Sequence, residues 1–159
     1  MPSEDRILRN QLIPFLRGDG AHASFFSAVK DFPAEHYGTL PAGCPHTAWQ
    51  LVEHMRIALH ELVDFCTNPN YTTPKWPDDY WPKNPAPPSS EAWNKSVAAI
   101  QQDIEAFERL TGDPASNLYA EIPWGEGQTL LREILLAGDH TSYHTGQIIL
   151  IRQLLGIWN

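Results

Sequence analysis

The stretch that decides the fold spans residues 127–156 and reads GQTLLREILLAGDHTSYHTGQIILIRQLLG. Its apolar residues recur at helical spacing, so it predicts a helix that Thr129 caps and that runs to about Leu155. At 100° per residue, His140 and His144 fall about 40° apart on this helix. Their stripe also carries three apolar residues that are expected to face the core: Leu136, Ile151 and Leu154. Both imidazoles are therefore predicted to point inward.

Two inward imidazoles on one stripe need polar partners. A buried polar group without a hydrogen bond costs roughly 1–3 kcal/mol. Side chains at i and i+4 have Cβ atoms roughly 5–6 Å apart, so both rings can reach one cation. The alternative is a pair of core histidines that bond to a carboxylate or a carbonyl without any metal. The spacing alone leaves both interpretations open.

The rest of the chain predicts three further long helices and one short one. The predicted segments are a helix from Ser3 to the break at residues 18–20, a short piece within residues 21–32, a helix from the Thr47–Gln50 capping box to residues 66–68, and a helix from Ser89 or Ser90 to residues 111–112. Ser, Thr and the T-x-x-Q pattern are typical helix starts. Four amphipathic helices with almost no strand predict an all-α fold, a four-helix bundle.

Two loops carry aromatic residues. Residues 68–88, NPNYTTPKWPDDYWPKNPAPP, cannot form a regular element because proline removes backbone donors. Their tyrosines and tryptophans are too apolar for a disordered linker, so we expect an ordered crossover loop packed on the bundle. Trp76 and Trp81 in this loop, and Trp124 in the next, are candidates to wall a pocket or to fix their loops in place.

A metal site needs a third ligand, and His54 is the best candidate. It lies on the helix that begins at Thr47, beside that helix's apolar face, whereas His60 points the opposite way. The other histidines are interpreted as surface or capping-region residues: His22, His36 and His46. A bundle can bring His54 against His140 and His144, which gives three neutral nitrogen ligands and an open position.

Composition excludes several classes of function. The chain has 159 residues and a formal net charge of −8, so we expect a single domain over residues 1–159 that binds no nucleic acid. It has no apolar run long enough for a membrane span and no signal peptide, which predicts a cytoplasmic protein. Cys44 and Cys66 are predicted to be free thiols. The HExxH motif and the glycine-rich phosphate loops are absent.

Three stretches together resemble the DinB/YfiT-like superfamily, over about Leu8 to Trp158. They are HTAWQLVEHMRIALHELVDF, YWP in the proline-rich loop, and the stretch quoted first, whose H-x-x-x-H-x-G-Q motif is the strongest. The resemblance implies an up-down-down-up four-helix bundle, often a homodimer, with a divalent metal held by His54, His140 and His144. Members that this chain resembles include metal-dependent transferases that use low-molecular-weight thiols, a thiol-dependent isomerase and hydrolases.

The leading hypothesis is a small metalloenzyme that acts on a small molecule. Three neutral histidines leave a divalent ion its full charge, which favours deprotonation of a bound water or thiol. Zn²⁺ is the default ion, and Ni²⁺, Fe²⁺ or Mn²⁺ also suit such a site. The candidate accessory residues are Glu133 and Glu61, as carboxylates that support a metal ligand or act as a base. Tyr143 is a candidate donor to substrate or a packed core residue, and Gln147 is expected to orient a ligand or to pack at the bundle centre.

Two other interpretations compete with the enzyme. The first is a non-catalytic helical module, stabilised by the metal, that dimerises or binds a small molecule. A structural metal is usually held by four protein ligands, so a fourth ligand within reach would favour this interpretation. The second is a protein without metal whose histidines are satisfied within the core. Glu133 has a similar alternative role, as an acidic residue near the start of its helix.

Overall fold

The helices follow the predicted order. The computed structural model describes residues 3–158, so Met1, Pro2 and Asn159 lie outside the described residues. The elements are α1 (Glu4–Arg17), α2 (Phe25–Val29), a 3-10 turn (Ala34–His36), α3 (Ala48–Thr67), α4 (Ser90–Gly112) and α5 (Leu130–Leu154). Within residues 3–158 there is no strand, and the one isolated β-bridge joins Glu121 and Thr129. The described chain is therefore all-helical.

Local capping chemistry sets where the four long helices begin. The Ser3 hydroxyl accepts a hydrogen bond from the backbone N–H of α1, and Thr129 does the same for α5. Thr47 and Gln50 form the predicted capping box, in which each side chain accepts from the other's backbone N–H. Of the two serines proposed for α4, Ser89 is the cap. These bonds satisfy donors that a helix start leaves free.

The long helices pack in pairs. The main pairings join α3 to α4 and α5, and α1 to α4 and α5, while α2 packs on α5. At the α1–α5 contact, a Cβ built on Gly138 would lie 2.1 Å from a ring carbon of Phe15, so any larger residue at this position would displace the Phe15 ring. Buried apolar residues between the helices form the core, among them Leu51, Phe107 and Ile148. The α3–α5 pairing positions the histidines.

One predicted core residue lies at the surface. Ile151 is buried and Leu136 is half-buried, but Leu154 is 54% exposed and its prediction was wrong. Leu154 is the last residue of α5. A helical wheel gives the direction of a side chain around the axis but says nothing about how far neighbouring helices extend along it.

The chain between α3 and α4 has no regular structure but makes specific contacts. The Tyr71 ring packs on Phe65 with ring centroids 5.0 Å apart, and the Thr47 hydroxyl donates to the backbone carbonyl of Pro85 at 2.6 Å.

None of the helices in the described part of the chain has the length and apolar character that a bilayer crossing requires.

Candidate metal centre

Three imidazoles from two helices meet between α3 and α5. His54 Nε2 lies 3.0 Å from His140 Nε2, and His140 Nε2 lies 3.1 Å from His144 Nε2. His140 and His144 are one turn apart on α5, and His54 faces them from α3. His54 and His144 are buried, and His140 is half-buried. The predicted convergence of the three side chains is observed.

Oxygen atoms outside the cluster orient two of the rings. His54 Nδ1 lies 2.9 Å from the backbone carbonyl of Tyr80, and His144 Nδ1 lies 2.6 Å from Gln147 Oε1. Both oxygens are acceptors, so each Nδ1 carries the hydrogen and donates it. In a neutral imidazole the other nitrogen then holds a lone pair. The Nε2 atoms of His54 and His144 therefore both present lone pairs to His140.

A hydrogen-bonded cluster without a cation does not account for this arrangement. His140 Nε2 carries at most one hydrogen, which can point along only one of the two short N–N directions. The remaining contact then brings two lone pairs within about 3 Å of each other in a buried site, which is unfavourable. A cation that accepts all three lone pairs removes this conflict.

The spacing of the nitrogens fits a divalent ion. In a tetrahedral Zn²⁺ site with Zn–N bonds of about 2.0–2.1 Å, neighbouring nitrogens lie roughly 3.3 Å apart. The ligand atoms of His54, His140 and His144 all lie within 4.8 Å of one another, and two of the pairs lie at 3.0 and 3.1 Å. The three side chains are thus close enough to bind one metal ion.

The imidazoles are in the protonation state that metal binding requires. Burial lowers the pKa of His140 to about 3 and that of His144 to about 4, although the bond from His144 to Gln147 opposes its shift. Burial also lowers the pKa of His54, although its bond to the Tyr80 carbonyl opposes this. All three rings are therefore neutral at neutral pH, as binding of a cation requires.

A cavity of about 570 Å³ opens beside the three nitrogens. Trp81 forms one wall. Its ring stacks on the His54 ring with centroids 3.9 Å apart, and on the His46 ring with centroids 4.0 Å apart. Trp76 lies at the rim and is 66% exposed. The proline-rich loop thus both holds His54 in place and covers the site.

The predicted accessory residues divide into two groups. Glu61, Tyr143 and Gln147 line the cavity together with the three histidines. Tyr143 is 64% exposed, with its ring edge against His144 at 4.9 Å between centroids, so its hydroxyl lies at the cavity mouth and not in the core.

Glu133 and Trp124 do not line the cavity. Glu133 is fully buried in the first turn of α5, where one oxygen accepts from Arg132 at 2.7 Å. Trp124 donates its indole N–H to the backbone carbonyl of Phe65 at 2.7 Å, which fixes its loop to the end of α3. Glu133 therefore matches its alternative role as an acid near a helix start.

Two features of the site were missed by sequence reasoning. His46 was interpreted as a capping-region residue, yet it lines the cavity and stacks on Trp81. The carbonyl that orients His54 belongs to Tyr80, in the loop. The Tyr-Trp pair at 80–81 was a usable signal, because two adjacent aromatics between prolines indicate a loop that packs on the domain.

No protein-family model, curated protein or solved structure matches this chain. The assignment of a metal-binding cluster therefore depends on the geometry of the three imidazoles and of the oxygens that orient them.

Removing the acceptor behind His144 is expected to weaken metal binding. In Gln147→Met the length of the side chain is kept but Nδ1 of His144 loses its partner, so we expect Zn²⁺ affinity to fall about 10–100-fold. Titration with a competing chelator measures this. Gln153→Met, the same change at an exposed position of α5 outside the cavity lining, is the control and should keep wild-type affinity. Equal affinities for Gln147→Met and wild type would contradict the orienting role.

Proposed function

We propose that this protein is a metal-dependent enzyme in which His54, His140 and His144 hold one divalent cation. Its reaction is a thiol-dependent S-transfer or a hydrolysis of a small molecule. The observation that supports this best is the meeting of three neutral Nε2 atoms at the wall of a cavity of about 570 Å³. Zn²⁺ is the cation we favour, followed by Ni²⁺, Fe²⁺ and Mn²⁺.

A cation held by neutral imidazoles keeps its full charge and favours the deprotonated form of a coordinated water or thiol. The chain's own residues supply the remaining functions. The Tyr80 carbonyl and Gln147 fix the orientation of two ligand rings. Tyr143 at the cavity mouth can donate to a substrate, and Glu61 places a carboxylate in the cavity wall. We assign Glu133 no contact with substrate, because it does not line the cavity.

The ligand count favours an enzyme over a structural metal site. Structural zinc is usually closed by four protein ligands, whereas catalytic zinc keeps a position for water or substrate. The cluster of candidate ligands within residues 3–158 consists of three histidines, with no Cys, Asp or Glu as a fourth member. A non-catalytic, metal-stabilised module is therefore less well supported.

The proposal includes membership of the DinB/YfiT-like superfamily, with the up-down-down-up topology and the homodimer that the resemblance implies. The helix pairing supports this topology, since α1 and α3 each pack mainly on α4 and α5. Residues 68–89 are also long enough to span the roughly 30 Å length of a 20-residue helix, as two parallel neighbours require. Leu150 and Leu154, both exposed on α5, support a contact with a second copy.

Metal-dependent turnover tests the proposal. Tag-free protein is prepared metal-free and then loaded with Zn²⁺, and both forms are assayed with a panel of thiols plus an electrophile and with ester and amide substrates. We expect turnover by the loaded form in one of these assays and its loss in His144→Ala. Absence of turnover in every assay, or equal rates with and without metal, would overturn the enzymatic proposal.

A further inference from the structure

The cavity contains a carboxylate far from the three imidazoles. Glu61 lies seven residues after His54 on α3, and both side chains line the same cavity. Seven residues are two helical turns, or about 10 Å along the axis. The cavity therefore extends along α3 from the candidate metal site at His54 to the Glu61 carboxylate, about two turns away.

Glu61 has no positively charged partner. The Tyr71 hydroxyl donates a hydrogen bond to Glu61 Oε1. Among residues 3–158, no Lys, Arg or His forms an ion pair with Glu61, and no Lys or Arg lines the cavity. The nearby Arg132 is paired with Glu133 at 2.7 Å. The second oxygen of Glu61 is thus left for a group that enters the cavity.

Burial and nearby carboxylates make the ionised form of Glu61 less favourable. Burial raises the pKa of Glu61 above its ordinary value, and the charges of Glu133 and Asp64 raise it further, while the Tyr71 bond and the charge of Arg132 lower it. Glu133 is itself fully buried, with its second oxygen lacking a hydrogen-bond partner among the described residues. Glu61 is half-buried, and a carboxylate that is partly removed from water is stabilised by a charge of opposite sign.

Aromatic rings share the cavity with this carboxylate. Tyr80, Trp76 and Glu61 all belong to its lining. Tyr80 and Trp76 have ring centroids 5.4 Å apart, and both line the cavity. Aromatic faces attract cations, most strongly where water is excluded. The cavity thus combines a carboxylate with two π systems.

We infer that the end of the cavity at Glu61 binds an ammonium group. The substrate is then an amine-bearing small molecule whose reacting group lies at the three imidazoles. This inference rests on the proposed function, because it concerns the substrate of the same site. It assigns Glu61 to substrate binding, and it excludes substrates with a carboxylate or phosphate at that position, since Glu61 would repel them.

Binding of paired probes to Zn²⁺-loaded protein tests the inference. The long pair is 8-aminooctane-1-thiol and 8-mercaptooctan-1-ol, which differ only in an ammonium or a hydroxyl group at the end remote from the sulfur. Calorimetry is expected to show about tenfold or tighter binding of the amine in wild type. In Glu61→Gln this ratio should fall close to one. Glu91→Gln, an exposed site on α4 with the same change in net charge, should keep the wild-type ratio.

A short pair of probes controls for effects on the thiol itself. The nitrogen of 2-aminoethanethiol cannot reach Glu61, so its ratio to 2-mercaptoethanol should be the same in wild type and Glu61→Gln. A long-pair ratio near one in wild type, or a preference for the amine that persists in Glu61→Gln, overturns the inference. Failure of 8-mercaptooctan-1-ol to bind in a Zn²⁺-dependent way would instead count against the thiol-dependent function. If Glu61 acts only as a base, Glu61→Gln loses turnover but keeps the amine preference, which also overturns the inference.

Discussion

Replacing His140 by alanine is expected to abolish stoichiometric Zn²⁺ binding. His140 Nε2 lies between the other two nitrogens, at 3.0 Å from His54 and 3.1 Å from His144. Its loss removes a direct ligand, so we expect the affinity to fall by more than the roughly 100-fold that loss of an outer partner can cause. His54→Ala and His144→Ala should behave alike, because two imidazoles alone make a weak site.

Elemental analysis and calorimetry of tag-free protein measure this effect. Wild type should bind one equivalent of Zn²⁺, and the three alanine variants none. His60→Ala is the matched control, because His60 lies on α3 with His54 but its side chain is exposed. Wild-type metal content in His140→Ala, or loss of metal in His60→Ala, would show that the ligands are elsewhere.

The stability of the metal-free variant separates a metal site from a hydrogen-bonded core. If the three histidines satisfied one another by hydrogen bonds, His140→Ala would leave partners unpaired at a cost of roughly 1–3 kcal/mol. If they are ligands held together against lone-pair repulsion, metal-free His140→Ala should be about as stable as metal-free wild type. Urea unfolding at neutral pH, without metal, distinguishes the two outcomes.

The helices and the convergence of the histidines could be predicted from the sequence because their determinants are local. Thr47 with Gln50 and Thr129 are capping signals that lie within one turn of the helix they start. The i, i+4 spacing of His140 and His144 sets their common face before any tertiary contact forms. His54 followed as the third member because it borders the apolar face of a neighbouring helix.

The parts of the site that could not be predicted depend on position along the helix axis or on a loop. Glu133 shares the wheel stripe of His140, yet it lies two turns away near the start of α5 and does not reach the cavity. The stacking of His46 on Trp81, and the bond from His54 to the Tyr80 carbonyl, depend on the course of the loop after α3. Proline-rich sequence excludes regular structure there but does not specify a path.

The metal-free protein is expected to lose stability steeply as the pH falls below about 6.5, the ordinary pKa of histidine. Burial lowers the pKa of His140 to about 3, that of His144 to about 4, and that of His54 in the same direction. Between these values and about 6.5, the unfolded chain binds protons that the folded chain does not. Stability therefore rises with pH in this window, by up to about 1.4 kcal/mol per pH unit for each imidazole that is neutral only when folded.

Urea unfolding from pH 7 to pH 4, with and without Zn²⁺, measures this dependence. His140→Gln should flatten the metal-free curve, because one of the three imidazoles no longer titrates. His22→Gln makes the same substitution at an exposed histidine before α2 and is the control. A metal-free midpoint that does not change across this range would contradict the burial of three neutral imidazoles.

Zn²⁺ should raise the free energy of unfolding at pH 7, and the loss of stability in acid should begin at a lower pH. A ligand that binds only the folded chain stabilises it by an amount that grows with its concentration over its dissociation constant. Protons and the cation compete for the same three nitrogens, so the benefit of Zn²⁺ should shrink as the pH falls. In His140→Ala the curves with and without Zn²⁺ should coincide at every pH. Curves that also coincide in wild type would mean that the cluster holds no cation, because a bound metal cannot leave both the stability and its pH dependence unchanged.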